Sequence, residues 1–268
     1  MKSRDKKSQS NSDREQFKAV ADLFSHENID LIEKIEAFGK YASRQSIAKF
    51  LTKYEIFKKI LHVNGSIVEA GVLFGAGLIT WAKLSSILEP ANHTRKIIGF
   101  DTFTGFRRPV NQDTKTGLSN HLKSGGLKGS TYENVLKSAK VYDLNRPISH
   151  IQKIELVQGD INLSAQKYLE KNPHLVISLL YLDLDLYEPT KTTLVNFVPR
   201  MVKGGIICFD ELNAKIFPGE TQAVNEVLGL NNLKIERFSF DSYVSFAVID
   251  ENIKIKIDDN SVKNETLK

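Results

Sequence analysis

Residues 66–77 read Ser-Ile-Val-Glu-Ala-Gly-Val-Leu-Phe-Gly-Ala-Gly, and this stretch determines the fold. A short apolar run ends beside a carboxylate and passes through a glycine-rich turn into a helical segment over residues 76–88. The pattern predicts a buried strand that turns directly into a helix. Two interpretations of the turn stay open: the glycines let a ligand approach the backbone, or they only supply the positive φ of a tight turn.

The same alternation of strand and helix continues along the chain. Strands separated by helices of about 10–15 residues pair in parallel. The last two candidate strands are joined by a link of about two residues, which forces an antiparallel hairpin. We therefore predict an α/β, Rossmann-like fold: a seven-stranded, mostly parallel sheet with a final antiparallel hairpin and helices on both faces. The candidate strands are 66–71, 96–101, 154–158, 176–183, 205–210, 233–240 and 243–250, and the candidate helices are 76–88, 131–140, 163–171, 188–200 and 219–229.

The flanking segments complete a prediction of one domain over residues 15–250. Residues 1–14 and 251–268 are polar and are predicted to be tails, the first of them disordered. Residues 15–62 show helical spacing of apolar residues and form a predicted helical extension, which either caps the domain or makes a homo-oligomer surface. Residues 104–150 are glycine-rich and longer than an ordinary loop, so they are predicted to be a lid insertion.

Composition excludes several classes of protein. The 268 residues include a single cysteine, Cys208, so a scaffold held by internal disulfides is excluded. There is no apolar run of about 18 residues and no apolar leader, so we expect no membrane span and a cytoplasmic location. The net charge is +5, but residues 1–14 alone hold five basic and two acidic residues. The remaining chain shows no basic cluster with interleaved aromatics, so no nucleic-acid partner is expected.

Acidic residues close the first three strands and predict the class of cofactor. The first turn has the spacing E-x-G-x-x-x-G-x-G, which differs from the G-x-G-x-x-G of dinucleotide sites. A carboxylate there repels a pyrophosphate and attracts a cation such as S-adenosylmethionine, which carries an ammonium and a sulfonium. Asp101 is suited to the ribose hydroxyls, and Asp160 with Ile161 to the adenine ring. The predicted cofactor residues from these turns are Glu69, Gly71, Gly75, Asp101 and Asp160.

A second acidic group follows the fourth and fifth strands. Asp183 and Asp185 lie two residues apart and share a face of an extended segment, and Asp210 and Glu211 follow the neighbouring strand. Such carboxylates repel one another unless a cation or a shared proton lies among them, and oxygen ligands without His or Cys suit Mg²⁺ or Ca²⁺ better than Zn²⁺. The alternative is separate roles in orienting loops and turns. Glu220 has two interpretations as well: a first-turn helix residue, or a residue that faces the substrate.

With these residues in place, the sequence resembles the class I S-adenosylmethionine-dependent methyltransferases. More narrowly it resembles the macrocin O-methyltransferase (TylF/MycF) family, and within it the dTDP-6-deoxy-L-hexose 3-O-methyltransferases. The likeness covers roughly residues 40–250, and the ordered set of motifs is specific for the family. The motifs are Tyr-Ala-Ser-Arg-Gln at 41–45, Gly-Ser-Ile-Val-Glu-Ala-Gly at 65–71, Ile-Gly-Phe-Asp-Thr-Phe-Thr-Gly-Phe at 98–106, Tyr-Leu-Asp-Leu-Asp-Leu-Tyr-Glu-Pro-Thr at 181–190, Phe-Asp-Glu-Leu-Asn at 209–213 and Pro-Gly-Glu-Thr at 218–221.

The resemblance implies Mg²⁺-assisted methyl transfer to a sugar hydroxyl. Asp183, Asp210 and Glu211 match metal-binding positions, although many relatives have the shorter Asp where this chain has Glu211. Glu69, Gly71, Asp101 and Asp160 match cofactor positions, and Arg44 lies in a segment that approaches the cofactor.

The chemical hypothesis is an in-line displacement, in which the sugar hydroxyl attacks the methyl group on sulfur. Asp183 or Asp185 takes the hydroxyl proton. The expected acceptor is a small-molecule, nucleotide-linked deoxysugar. The alternatives are a sugar already attached to a natural product or surface polysaccharide, or a protein that binds S-adenosylmethionine without catalysis. Basic lid residues either meet the diphosphate or are simply solvated; they are Arg107, Arg108, Lys115, Lys123 and Lys128.

Overall fold

The computed structural model describes residues 10–251, 253 and 255, and its centre is a single seven-stranded sheet. The strands are β1 (Ser66–Ala70), β2 (Ile97–Asp101), β3 (Ile154–Gln158), β4 (Ile177–Leu182), β5 (Met201–Phe209), β6 (Glu236–Arg237) and β7 (Ser245–Val248). Their order across the sheet is β3-β2-β1-β4-β5-β7-β6. Strands β1 to β5 pair in parallel, and β7 pairs antiparallel with both β5 and β6. The predicted fold class is therefore confirmed.

The helices lie before, between and after the parallel strands, close to the predicted segments. They are α1 (Asn11–His26), α2 (Leu31–Glu36), α3 (Phe38–Tyr41), α4 (Arg44–Ile60), α5 (Ala76–Leu88), α6 (Asn111–Thr114), α7 (Tyr132–Asp143), α8 (Ile161–Lys171), α9 (Tyr187–Phe197) and α10 (Pro218–Val227). No helix within the described residues has both the length and the apolarity that crossing a bilayer requires.

The predicted tail boundary at residue 14 is too late. Helix α1 begins at Asn11 because the Ser10 side chain accepts the Asp13 N–H while the Asp13 side chain accepts the Ser10 N–H. This reciprocal capping satisfies two backbone donors at the helix start. Residues 1–9 and most of the predicted tail 251–268 lie outside the described residues.

The final hairpin is the element for which the prediction was least accurate. Strand β6 has two residues, where residues 233–240 were expected, and the connection runs through 238–244 instead of about two residues. Both residues of β6 are exposed at the sheet edge, so little burial extends the pairing there. After it the chain turns back, because the Asp241 side chain accepts the N–H groups of Tyr243 and Val244.

Hydrophobic clusters cover both faces of the sheet, as expected for parallel strands. Val68 and Ala70 of β1 face one cluster and Ile67 faces the other, which follows the two-residue period of a strand. The second cluster includes Phe57 of α4 and the fully buried Cys208, which is a core residue. Helix α4 is therefore part of the domain's core.

Arg95 fixes the end of helix α4 to the sheet. Its side chain is only 3% exposed, and its guanidinium makes five hydrogen bonds of 2.5–3.1 Å. The group has five N–H donors in all, so its capacity is filled. The acceptors are the side chains of Glu89 and Ser178 and the carbonyl oxygens of Ile60, Val63 and Gly65.

Candidate active site

A cavity of about 570 Å³ lies at the carboxyl ends of β1, β2, β3 and β4. The strand order reverses between β1 and β4, which is where open α/β sheets bind their ligands. The volume is in the range of small-molecule sites. Among the residues that line it are Gly71, Asp101, Asp160, Asp183 and Asp185. The structure therefore brings together five of the residues that the sequence singled out.

Gly71 lines this cavity and also joins two strand ends. Its φ is +96°, and an added Cβ would lie 1.8 Å from the carbonyl oxygen of Asp183. The Asp183 N–H donates to the Ala70 carbonyl over 2.8 Å, which holds the end of β4 against β1. The positive φ of a tight turn is therefore present at Gly71, and the approach of a ligand to its backbone stays a prediction. Gly75 differs: it is the left-handed N-cap of α5, packs against Val135 and is not among the cavity-lining residues.

Asp101 organises the turn above β1. Its Oδ2 accepts the N–H groups of Val72 and Leu73 at 2.8 and 2.9 Å, and its Oδ1 accepts the N–H of Phe103 at 2.7 Å. Asp160 is the N-cap of α8, where its Oδ1 accepts the Asn162 N–H at 3.0 Å. Both carboxylates line the cavity, and their contacts with ribose and adenine stay predictions.

Glu69 and Arg44 do not reach this cavity. Glu69 is 2% exposed, and its Oε2 lies 3.9 Å from the ammonium of Lys53 on α4. Its carboxylate fits beneath Gly77, where an added Cβ would lie 2.4 Å from Oε1. Burial raises the pKa of Glu69, and Lys53 opposes that effect. Arg44 is exposed at the first position of α4. The predicted cofactor contacts of both residues find no support in this geometry.

An acidic cluster lies beside the cavity, at the ends of β4 and β5 and the start of α10. Its members Asp183, Asp185, Asp210, Glu211 and Glu220 affect one another's ionisation. Burial, followed by repulsion from Asp210, raises the pKa of Asp185 to about 7. Burial and three neighbouring aspartates raise the pKa of Glu211 to about 10. Asp183 and Glu220 have raised pKa values for the same reasons. The cluster therefore favours a cation or bound protons.

Lys49 of α4 supplies one such cation. Its ammonium lies 2.9 and 3.2 Å from the two carboxylate oxygens of Asp210, which is 2% exposed. The Tyr181 hydroxyl donates to Asp210 Oδ1 over 2.5 Å. Burial opposes ionisation of Asp210, but Lys49 and Tyr181 hold the pKa of its carboxyl below the usual value. Asp210 is thus the member of the cluster whose pKa is lowered, and its charge is balanced by Lys49 from the helical extension.

The donor atoms of the cluster fit a hard divalent cation. All are carboxylate oxygens, and Glu211 Oε2 and Glu220 Oε2 are buried with no hydrogen-bond partner within the described residues. Glu220 is fully buried, and its Oε1 accepts the Glu211 N–H at 3.0 Å, so it supports Glu211. Within the part of the chain described here, no set of three such side chains is already arranged around one point. The ligands Asp183, Asp210 and Glu211 therefore stay a prediction that rests on donor chemistry.

The segment 104–150 forms a wall of the cavity, through Arg107, Arg108 and Leu127 among others. Buried Asp113 of α6 fixes this wall: one carboxylate oxygen accepts the Val110 N–H, and the other accepts the Tyr187 N–H, each over 2.7 Å. One wall of the cavity is therefore a segment that is tied to the start of α9, and its action as a lid stays a prediction.

Sequence reasoning missed Lys49, Tyr181 and Asp113. Lys49 and Lys53 are four residues apart in a predicted helix, and this spacing places two cations on one helix face. This pair of cations was the sequence signal that could have indicated Lys49. For Tyr181 and Asp113 the partners are distant in sequence, and nothing in the local pattern indicates them.

Comparisons with known proteins agree with this geometry. A family model described as macrocin O-methyltransferase (TylF) matches residues 53–246. A crystal structure of CalS11, described as a calicheamicin methyltransferase, is 30% identical with a TM-score of 0.85, and the alignment covers 90% of this chain and 93% of CalS11. An apo structure of CalS11, described as a TDP-rhamnose 3'-O-methyltransferase in calicheamicin biosynthesis, is 32% identical with a TM-score of 0.77, covering 90% and 95%.

The O-methyltransferase NovP is 21% identical with a TM-score of 0.58 and covers 76% of this chain and 80% of its own, which supports the fold alone. No curated protein sequence matched the chain. The matched segment 53–246 exceeds half of the chain and contains strands β1 to β6, the first half of β7, the cavity and every carboxylate of the acidic cluster. The chain therefore belongs to the macrocin O-methyltransferase (TylF) family and is an S-adenosylmethionine-dependent O-methyltransferase.

Proposed function

We propose that this enzyme transfers the methyl group of S-adenosylmethionine to a hydroxyl of a nucleotide-linked deoxysugar, with assistance from Mg²⁺. One observation carries the proposal: Asp183 and Asp185 line the cavity at the strand ends and also belong to the acidic cluster. This adjacency supports a cofactor in the cavity and an acceptor handled by the carboxylates of the cluster. The name of CalS11, a TDP-rhamnose 3'-O-methyltransferase, supports the acceptor class.

The cavity has the groups that the cofactor needs. S-adenosylmethionine carries an ammonium, a sulfonium and one carboxylate at neutral pH, and the side chains of Asp101, Asp160 and Asp183 line the cavity. Opposite charges at contact distance attract more strongly in a site from which water is excluded. Ile161, which also lines the cavity, offers an apolar surface to the adenine ring.

Asp183 and Asp185 are the candidates for the base. Each lines the cavity, so each is within the site where the sugar hydroxyl meets the methyl group. In the reaction the hydroxyl oxygen forms a bond to the methyl carbon, the carbon–sulfur bond breaks, and the carboxylate accepts the hydroxyl proton. Asp183, Asp210 and Glu211 would hold the Mg²⁺, which when bound would supply Lewis-acid polarisation of the sugar hydroxyl. Lys49 and Tyr181 keep Asp210 ionised for that role.

The test is a methyl-transfer assay over TDP-, GDP- and UDP-deoxysugars, with matched alkyl glycosides, in the presence of Mg²⁺ or of a chelator. We expect turnover on a nucleotide sugar, its loss with chelator, and recovery when Mg²⁺ is restored. Asp210→Ala should lose turnover, whereas Lys203→Ala, whose side chain is 74% exposed, serves as the control.

Three outcomes would contradict the proposal. Undiminished turnover with chelator, or full activity of Asp210→Ala, removes the metal from the mechanism. Turnover on glycosides with none on nucleotide sugars assigns the enzyme to sugars already attached to another molecule.

A further inference from the structure

A second cavity, of about 410 Å³, lies beside the loop that follows Glu211 of the acidic cluster. Its walls come from residues 212–216, from residues 242 and 243 and from Leu118 of the segment 104–150. Among the described residues, it shares no lining residue with the larger cavity. The loop 212–216 begins directly after Glu211, and Lys215 stands four residues further on. Leu212, which lines the cavity, is the residue next to Glu211, so the cavity adjoins the cluster, and Lys215 lies within about 14 Å of Glu211 along the chain.

The lining of this second cavity combines three kinds of group. Leu118, Leu212 and Ile216 provide apolar walls. The ring of Tyr243 is available for stacking, because the residue is 46% exposed. Lys215 is exposed and provides a cation. An apolar wall, an aromatic face and a cation are the groups that bind a nucleoside diphosphate, through base stacking and through a charged hydrogen bond to phosphate.

We propose that this second cavity binds the nucleoside diphosphate half of the acceptor, with Tyr243 against the base and Lys215 on the phosphates. The inference rests on the proposed function, since it takes the acceptor to be a nucleotide sugar. The sugar then lies at the acidic cluster, which meets the larger cavity at Asp183 and Asp185 and the second cavity at the loop after Glu211. Tyr243 and Lys215 become residues that select the acceptor.

The backbone that carries both side chains is fixed in advance. Asp241 is 5% exposed and accepts the Tyr243 N–H over 2.9 Å, while the Thr52 hydroxyl of α4 donates to its other oxygen over 2.7 Å. The Asn213 N–H donates to the Thr221 hydroxyl over 2.9 Å, which anchors the loop that bears Lys215. A fixed backbone with exposed side chains reduces the entropy that is lost when a ligand binds.

The competing site for the diphosphate is the pair Arg107 and Arg108. Both line the larger cavity, together with the groups expected to hold S-adenosylmethionine. A diphosphate at this pair would place the nucleotide on the cofactor side of the acidic cluster. The two arrangements are separable by experiment, because different side chains carry the charge.

The test is calorimetric titration of thymidine diphosphate into the full-length protein, with S-adenosylhomocysteine present. Tyr243→Leu removes the aromatic face and should weaken thymidine diphosphate about tenfold. Lys215→Ala removes the cation and should weaken it by about five- to tenfold, with a smaller dependence on salt. Phe240→Leu, a 44% exposed aromatic in the same connection, and Lys203→Ala are the matched controls and should bind as the wild type does. The affinity for S-adenosylhomocysteine should stay unchanged in all four variants.

Unchanged affinity for thymidine diphosphate in both Tyr243→Leu and Lys215→Ala would overturn the inference, as would a loss confined to Arg107→Ala and Arg108→Ala. The proposed function is tested separately, by the methyl-transfer assay on nucleotide sugars. If the wild type methylates a TDP-deoxysugar and both variants keep its KM, the second cavity is not the nucleotide site and the proposed function stands. If the variants lose thymidine diphosphate binding while the wild type methylates no nucleotide sugar, the nucleotide site stands and the proposed reaction is wrong.

Discussion

Replacing Gly71 by alanine should destabilise the protein by about 3–5 kcal/mol, through two separable effects. The first is the backbone: a non-glycine residue at φ +96° costs about 1–3 kcal/mol. The second is the contact with β4, because the new Cβ would lie 1.8 Å from the Asp183 carbonyl oxygen, where ordinary contact begins at 3.4 Å. The strand ends must separate by about 1.6 Å, which strains packing and stretches the Asp183–Ala70 hydrogen bond, at a cost of about 2 kcal/mol.

Two other glycines isolate these effects. Gly159 has φ +136° and open space around an added Cβ, so Gly159→Ala should carry the backbone cost of about 1–3 kcal/mol alone. Gly39 in α3 has neither a positive φ nor a neighbour within 4 Å, so Gly39→Ala should stabilise the protein by about 0.5–1 kcal/mol. From most to least stable, the expected order is therefore Gly39→Ala, wild type, Gly159→Ala and Gly71→Ala.

The measurement is urea unfolding followed by the fluorescence of Trp81, which is the single tryptophan of the chain and is fully buried. Gly71→Ala should also lose affinity for S-adenosylmethionine, since Asp183 lines the cavity. If the free energies of unfolding of Gly71→Ala and Gly159→Ala differ by less than about 1 kcal/mol, the close approach of β1 and β4 does not constrain this position.

Four further predictions follow from the described contacts. Arg95→Met leaves Glu89 and several carbonyls without their buried donor and should cost about 3–5 kcal/mol, seen as a fall in Tm of about 10 °C; a loss under about 1 kcal/mol would contradict this. Burial lowers the pKa of Lys153 to about 8, so between pH 8 and about 10.4 the unfolded chain holds a proton that the folded protein has released. The free energy of unfolding of the wild type should therefore rise with pH across that window relative to that of Lys153→Met. The same pH dependence of this free energy in both proteins would refute the prediction. Asp160→Asn keeps the helix cap and removes the charge, so S-adenosylmethionine should bind about three- to tenfold more weakly with unchanged urea midpoint; equal affinity would exclude the predicted contact. We expect a homo-oligomer built on the apolar surface of α2, so light scattering should show a smaller species for Ile35→Asp, whose parent side chain is 55% exposed, and a monomeric wild type would exclude it.

The parallel part of the sheet could be predicted because its signals are local. Each of β1 to β5 is a short apolar run, and the residues that follow them are the glycines and carboxylates of the site. Parallel strands end at one edge, so Asp101, Asp160 and Asp183 had to come together once the alternation of strand and helix was recognised. The cavity at this edge was thus implied by chain order alone.

Other features depend on contacts that a sequence does not display. Lys49 lies 161 positions before Asp210, and only the packing of α4 on the sheet joins them. Glu69 has the expected position at the end of β1, but the strand period directs it toward Lys53 and away from the cavity. Strand β6 was overestimated because Phe238 and Phe240, which follow it, form stacked ring contacts, Phe238 also with Phe246 of β7, instead of extending the pairing.

The place of Lys49 has a practical consequence for protein engineering. The segment that matches the family begins at residue 53, four positions after the lysine whose ammonium neutralises Asp210. A truncated enzyme cut at that boundary would retain every acid of the cluster and lose its nearest counter-charge, as well as the Thr52 hydroxyl that holds Asp241. Chimaeras between relatives should therefore exchange helix α4 together with the catalytic sheet, because residues that the active site needs lie before the segment that matches the family.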